Sequence, residues 1–95
     1  MVAGLCRISL RLHGNASLKG KRRIVKSIKE RVRSSFNVSI AEVAELDTLQ
    51  RAEIGVGAVG NDRAFINSVI DKVIDKIEGL NTAEIIESRI EIINM

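Results

Sequence analysis

The sequence predicts an α+β fold in which strands and helices follow one another in the order βαββαβ. Two stretches have apolar residues at the three- and four-residue spacing of amphipathic helices. Other stretches alternate apolar and polar residues, as strands with one buried face do. The two kinds of stretch are interleaved as strand, helix, strand, and this unit occurs twice.

The first unit is a predicted strand over residues 2–13, followed by a predicted helix over residues 17–36. Gly14 and Asn15 favour a turn between them, because both residue types tolerate positive φ angles. Ser17 is the predicted N-cap of the helix. The inner face of the strand is predicted to hold Cys6, Ile8, Leu10 and Leu12, and the apolar stripe of the helix is Leu18, Ile24, Val25, Ile28 and Val32.

The last strand of the first unit (residues 38–44) and the first strand of the second unit (residues 51–60) are expected to pair as an antiparallel hairpin. Val43 breaks the alternation of the shorter strand. We therefore expect a β-bulge near Ala41 and Glu42 that brings Val43 to the inner face. The inner face of the longer strand is predicted to hold Ala52, Ile54, Val56 and Ala58.

The chain continues with a helix that starts after Asn61 or Asp62 and stops at Gly79, and with a strand over residues 83–93. Asn and Asp are favoured N-caps, and Gly favours a helix C-terminus. The apolar stripe of this helix is predicted to be Ile66, Val69, Ile70, Val73 and Ile77, and the strand is expected to turn Ile86, Ile90 and Ile92 inward.

This order of elements predicts a ferredoxin-like sandwich: a four-stranded antiparallel sheet with both helices on one face. Sequential strand pairing and right-handed crossovers favour that arrangement over others. The length of 95 residues fits one domain over residues 1–95. Apolar residues make up 45% of the chain and aromatic residues only 2%, so the core is expected to be aliphatic.

The charges are divided unevenly along the chain. Residues 1–36 carry ten Lys and Arg against Glu30 alone, a net charge of +9. Residues 37–95 carry five Lys and Arg against eleven acidic residues, a net charge of −6. Such a division predicts a basic face for an anionic partner, centred on the first helix.

Three blocks of the sequence resemble the YlxP-like family of small bacterial proteins. They are Ser17-Leu18-Lys19-Gly20-Lys21-Arg22 with Val25-Lys26-Ser27 after it, Phe36-Asn37-Val38-Ser39-Ile40-Ala41-Glu42-Val43, and Gln50-Arg51-Ala52-Glu53-Ile54-Gly55-Val56. The resemblance implies a ferredoxin-like domain of unknown function. It also points to RNA or ribosomes, because genes of the family often lie near those for ribosome-binding and translation initiation factors. Leu49 stands where family members often carry Trp.

The first helix is the strongest candidate site, since its cations can track the phosphates of an RNA. The residues predicted to bind nucleic acid are Lys19, Lys21, Arg22, Arg23, Lys26, Lys29, Arg33 and Arg51, with Arg7 and Arg11 as further secondary contacts. Little acid is interleaved with these residues to neutralise them. A basic helix face that simply remains in water is the alternative interpretation.

Two other classes of function stay open on the sequence. Gly55 and Gly57 on the outer face of a strand permit close approach of another chain, which favours a homo-oligomeric regulatory or interaction module. An enzyme is not expected. His13, Gly14 and Asn15 before a cationic helix resemble the anion cradle of acylphosphatases, but the glycine-rich loop of those enzymes is missing.

Cofactors, metals and membranes are not expected as partners. The single Cys6 provides neither an internal disulfide nor a cysteine cluster for a metal. No apolar run approaches the roughly 20 residues of a membrane span, so a cytoplasmic location is predicted.

Overall fold

The computed structural model describes all 95 residues and has the predicted order of elements. The elements are β1 (Val2–Arg11), α1 (Leu18–Ser35), β2 (Ser39–Ala44), β3 (Arg51–Gly60), α2 (Arg63–Gly79) and β4 (Glu84–Asn94). The strands form one antiparallel sheet in the order β2-β3-β1-β4. The predicted ferredoxin-like fold is confirmed. Neither helix is long and apolar enough to cross a membrane.

The core lies between the helices and one face of the sheet, which leaves the other face open. Seventeen apolar residues are buried in it, including all the predicted inner-face residues of β1 and β3. Each helix contributes residues from successive turns of its stripe: Val25, Ile28 and Val32 from α1, and Ile66, Ile70, Val73 and Ile77 from α2. Val69 is only half-buried, because it lies at the margin of the α2 stripe.

Both helices begin at capping residues that the sequence identified. The Ser17 hydroxyl accepts a hydrogen bond from the Gly20 N–H at 3.0 Å, and the Asp62 carboxylate accepts one from the Phe65 N–H at 3.0 Å. Asp62, not Asn61, is therefore the N-cap of α2. Gly14 has the positive φ of 73° expected of the turn before α1.

The bulge in β2 is present, but it has the opposite effect to the one predicted. The register with β3 shifts between Glu42 and Ala44, so Val43 is the extra residue. Its side chain lies on the open face against Gly55, where a Cβ would come within 2.8 Å of Val43 Cγ1. Glu42, opposite the buried Ile54, faces the helices instead. The prediction that Val43 turns inward was wrong. Glu42 takes the inner position instead, because Lys21 on α1 forms an ion pair with it there.

A second bulge corrects the prediction for β4. The register with β1 shifts between Ser9 and Leu10, so that Ile85 and not Ile86 lies opposite the buried Leu10. Ile86 is the extra residue and remains exposed. Ile92 packs against the core as predicted. Ile90 lies opposite Cys6, on the inward parity predicted for it, but stays exposed because β4 is an edge strand.

Candidate nucleic-acid interface

Six cations of α1 form a continuous basic surface along the helix. The basic surface consists of Lys19, Arg22, Arg23, Lys26, Lys29 and Arg33, of which Lys29 is half-buried and the others are exposed. Spacings of three and four residues place them on one side of an α-helix. Val25, Ile28 and Val32 hold the opposite side in the core, and this packing fixes the direction in which the cations point.

The basic surface borders a groove between α1 and the edge strand β2. The groove has a volume of about 390 Å³ and is lined by Arg22, Val25, Lys26, Lys29, Glu30, Arg33 and Glu42. One nitrogen of the Arg33 guanidinium donates to the main-chain carbonyl of Ile40 at 3.0 Å. That hydrogen bond ties the last turn of α1 to the free edge of β2, and it leaves other donors of the guanidinium for a ligand.

Lys21 does not belong to this surface, and its assignment as a nucleic-acid contact was wrong. Its side chain is only 1% exposed. The ammonium lies 3.0 Å from Glu42 Oε2 and also donates to the main-chain carbonyl of Glu45. A cation held under the helix by a carboxylate and a carbonyl cannot reach a phosphate in solvent.

The spacing of α1 carried the signal for this burial. Lys21 precedes the buried Val25, Ile28 and Val32 by four, seven and eleven residues, which is the period of one helix face. What the sequence pattern did not show were the partners of the Lys21 ammonium, which are Glu42 and the loop after β2. Glu45 adopts a left-handed φ of 60°, and the Lys21 ammonium on its carbonyl joins the start of α1 to that turn.

Arg51 is separated from the α1 cations by the sheet. It opens β3 opposite Arg11, with its side chain on the open face. On the same face, the Arg7 guanidinium donates to Glu53 at 3.2 Å and the Ser9 hydroxyl donates to Glu53 at 2.7 Å. Arg7 is thus neutralised by a cross-strand ion pair, and Arg51 does not extend the basic surface.

Acidic side chains neutralise little of the basic surface. The Glu30 carboxylate lies 4.0 Å from the Lys26 ammonium, and both side chains are largely exposed, so the pair is weak. Glu42 at the groove is already paired with the buried Lys21. Lys19, Arg22, Arg23 and Lys29 have no salt bridge. Like charges this close repel one another until an anion approaches.

The loop before α1 is occupied by structural hydrogen bonds. The Asn15 side-chain amide donates to the carbonyls of Ser17 and Leu49, at 2.9 and 2.5 Å, and the Gln50 side chain donates to the Asn15 carbonyl at 3.3 Å. These contacts join the loop before α1 to the loop before β3. The Asn15 amide, considered as part of an anion cradle, is therefore committed to two carbonyls.

Two further side chains of types that often take part in catalysis, His13 and Cys6, lie away from the basic surface. His13 Nε2 lies 2.7 Å from Glu84 Oε1, so its carboxylate partner comes from the start of β4, distant in sequence. Both side chains are mostly exposed. Cys6 is buried in the core, and this burial, with a smaller contribution from the Asp71 charge, raises the pKa of its thiol. A protonated, buried thiol is a poor nucleophile.

Comparison with known proteins confirms the family resemblance. Residues 3–90 match the family described as "Protein of unknown function (DUF503)". Over 73 residues the chain is 36% identical to the uncharacterized protein YlxP of Bacillus subtilis (strain 168), covering 77% of this chain and 79% of that protein.

Solved structures confirm the fold. The chain is similar to protein YJCS, with a TM-score of 0.61 and 10% identity over 97% of this chain and 99% of that one. It is also similar to a dimeric ferredoxin-like protein from an uncultured marine organism, with a TM-score of 0.53 and 13% identity over 100% of this chain and 98% of that one. At such low identities the likeness concerns the fold alone.

Proposed function

Since the chain belongs to the DUF503 family, which is described as being of unknown function, we propose a role from its own surface: a non-enzymatic, cytoplasmic protein that binds RNA, free or within the ribosome. The basic surface of α1 is the binding site. Its cations lie along phosphates, and contacts of this kind position a protein on RNA without reading its sequence.

The single observation that supports this proposal is the near absence of neutralising acid around six neighbouring cations. Mutual repulsion on the helix is relieved when an anion with several charges binds. A phosphate backbone supplies regularly spaced charges, and its binding releases condensed counterions. We therefore expect affinity for structured RNA to fall by on the order of 10³-fold between about 50 and 200 mM salt.

The experiment compares wild type with Arg22→Gln, Arg23→Gln, a variant that loses two exposed cations of the basic surface. Binding to a labelled structured RNA and co-sedimentation with ribosomal subunits are measured over a range of salt. The variant is expected to bind more weakly, with a salt slope reduced by about 2. The matched control is Lys72→Gln, Lys76→Gln, which removes two exposed cations from α2 instead.

Absence of binding by wild type at low salt contradicts the proposal. So does an equal loss of affinity in the α1 and α2 variants, because that result would assign the binding to net charge alone. Salt-sensitive binding that only the α1 variant loses supports it.

A homo-oligomeric interaction or regulatory module is the second candidate function. A different surface favours it: the open face of the sheet, where Leu5, Val43 and Val59 are 49%, 51% and 70% exposed. Exposed apolar residues grouped on one face are typical of protein contact sites.

A further inference from the structure

We propose that the open face of the sheet is the interface of a symmetric dimer, in which strand β1 of each copy packs on strand β3 of the other. The occupant of this face is thus a second copy of the same chain. This inference is independent of RNA binding, since the basic surface lies on the helical side of the sheet.

The open face is apolar at one end and charged at the other. The strand register places Ala3, Val59 and Ile93 in one row across the sheet, and Leu5 between Gly57 and Glu91 in the next. The following rows contain Arg7, Arg89, Ser9, Glu53 and Glu87. The exposed apolar side chains therefore form one connected patch on this face.

A depression of about 420 Å³ lies where the patch meets the charged rows, since Arg7, Arg89 and Glu91 also line it. Its floor is Gly55 and Gly57, and Leu5 and Val43 are among the side chains that border it. A Cβ at Gly57 would lie 3.6 Å from Leu5 Cδ2, an ordinary contact, and its backbone has no positive φ. The fold tolerates a side chain at position 57, so the absence of one opens space for an apolar group from outside.

One symmetry axis matches the shape of the face. In the sheet order β2-β3-β1-β4, an axis between β1 and β3 runs along the middle of the sheet. Rotation about it sets Leu5 of each copy over Gly57 of the other, because these residues lie opposite each other in the register. The same rotation sets Arg7 of each copy over Gly55 of the other and Glu53 over Ser9, so the ion pair between Arg7 and Glu53 stays within each copy.

The area of the face is sufficient for such a dimer. Four strands with a ten-residue register between the central pair present roughly 600 Å² per copy. Two such faces bury about 1,200 Å² in total, which exceeds the roughly 1,000 Å² of a specific interface. The value is at the low end of that class, and because area alone does not set affinity, association is tested over a wide range of concentration.

The edges of the sheet are protected against the alternative, strand-to-strand pairing. Edge strand β2 has a bulge at Val43, and Arg33 occupies the outward carbonyl of Ile40. Edge strand β4 has a bulge at Ile86 and charged side chains along its length. Bulges and charges are the features that keep edge strands apart.

The test is sedimentation equilibrium of the full chain from about 1 to 200 µM, a range that brackets micromolar association. Wild type is expected to change from 10.4 kDa to twice that mass, and to do so equally at low and high salt. Leu5→Lys is expected to remain monomeric at every concentration. Phe65→Lys is the matched control, because Phe65 is 63% exposed but lies on α2, and it should dimerise as wild type does.

A second pair of variants tests the contact itself. Gly57→Leu fills the depression and should abolish dimerisation, whereas Leu5→Gly combined with Gly57→Leu exchanges the two partners and should restore it. Circular dichroism and thermal unfolding confirm that each variant folds. A wild type that is monomeric at all concentrations overturns the proposal, as does assembly beyond a dimer. Dimerisation that survives in Leu5→Lys and Gly57→Leu also overturns it and assigns the contact to an edge strand.

Discussion

Lys21 is a charged side chain in a position that the helix period reserves for the core. Its ammonium is compensated by the Glu42 carboxylate and by the Glu45 carbonyl, and the buried Glu42 Oε2 accepts no hydrogen bond besides this ion pair. Buried ion pairs of this kind add little net stability compared with apolar residues, but removing one partner leaves a buried charge uncompensated. The two partners are therefore expected to respond differently to substitution.

Glu42→Gln is expected to lower the free energy of unfolding by about 3 kcal/mol, because it leaves the Lys21 ammonium buried without its counter-charge. Lys21→Met is expected to cost about 1 kcal/mol, since Met fills similar volume and Glu42 retains some access to water. Urea unfolding of both variants measures the difference. A larger loss for Lys21→Met than for Glu42→Gln contradicts this account.

Lys21→Met also separates stability from binding. Because Lys21 is buried, we expect this variant to keep its affinity for RNA within about twofold, well below the 1.4 kcal/mol that a tenfold change represents. Loss of RNA binding in a folded Lys21→Met variant would contradict this prediction and show that Lys21 contributes to RNA binding.

Cys6 provides a prediction about pH. Burial, with a contribution from the Asp71 charge, raises the pKa of its thiol above the ordinary value of 9.0, which the unfolded chain retains. Below that pH both states hold the proton and stability is unaffected. Above it the unfolded state loses the proton first, so the free energy of unfolding falls as the pH rises towards the folded pKa. Unfolding of wild type and Cys6→Ala at about pH 8 and 10 measures this difference, and equal slopes for both would contradict it.

At the scale of single elements, the start of α1 depends on two loops as well as on its own cap. Gly20 lies in the first turn of the helix, where Ala ordinarily has the higher helix propensity. Here a Cβ at position 20 would overlap Asn15 Oδ1. The amide nitrogen of the same Asn15 donates hydrogen bonds to the carbonyls of Ser17 and Leu49. Gly20 thus permits the contact between the two loops.

Gly20→Ala is expected to destabilise the wild-type protein by about 1 kcal/mol, because it displaces the Asn15 side chain from its two hydrogen bonds. In an Asn15→Ala background the overlap with Asn15 is gone, and the same substitution is expected to stabilise by up to about 1 kcal/mol through helix propensity, less the cost of the 3.1 Å approach to Ser17 Oγ. A double-mutant cycle measured by chemical unfolding gives the coupling. Additive effects would show that the loop contact does not depend on Gly20.

The positions of the helices and strands were predictable where their residues follow a single helical or strand period. β3 was predicted at its observed bounds, and Ser17 and Asp62 were recognised as caps because their chemistry is local. Lys21 and Ile86 were not predicted correctly. Burial of Lys21 depends on Glu42, a residue of the next element, and exposure of Ile86 depends on a bulge in its pairing with β1. The helix period places Lys21 on the inner face, but its partner Glu42 and the bulge at Ile86 are tertiary features that a periodic pattern does not contain.

At the scale of the whole molecule, the sheet divides two surfaces of different character. The basic surface lies with the helices on one side, and the apolar patch lies on the other. The charge asymmetry of the sequence predicted the first surface, because the cations are consecutive along one helix. The second surface is assembled from three strands, and only the pairing register shows that Leu5, Val59 and Ile93 lie in adjacent rows.

The position of both helices on one side of the sheet affects how the two surfaces act together. A dimer formed through the open faces carries its helices outermost, so its two basic surfaces point away from each other. A single short RNA duplex cannot span both, whereas a folded RNA or two neighbouring segments of a large one can. Once the first surface is bound, the second acts at a high effective concentration. Avidity of this kind would make the protein selective for large, folded RNA without any contact to a base.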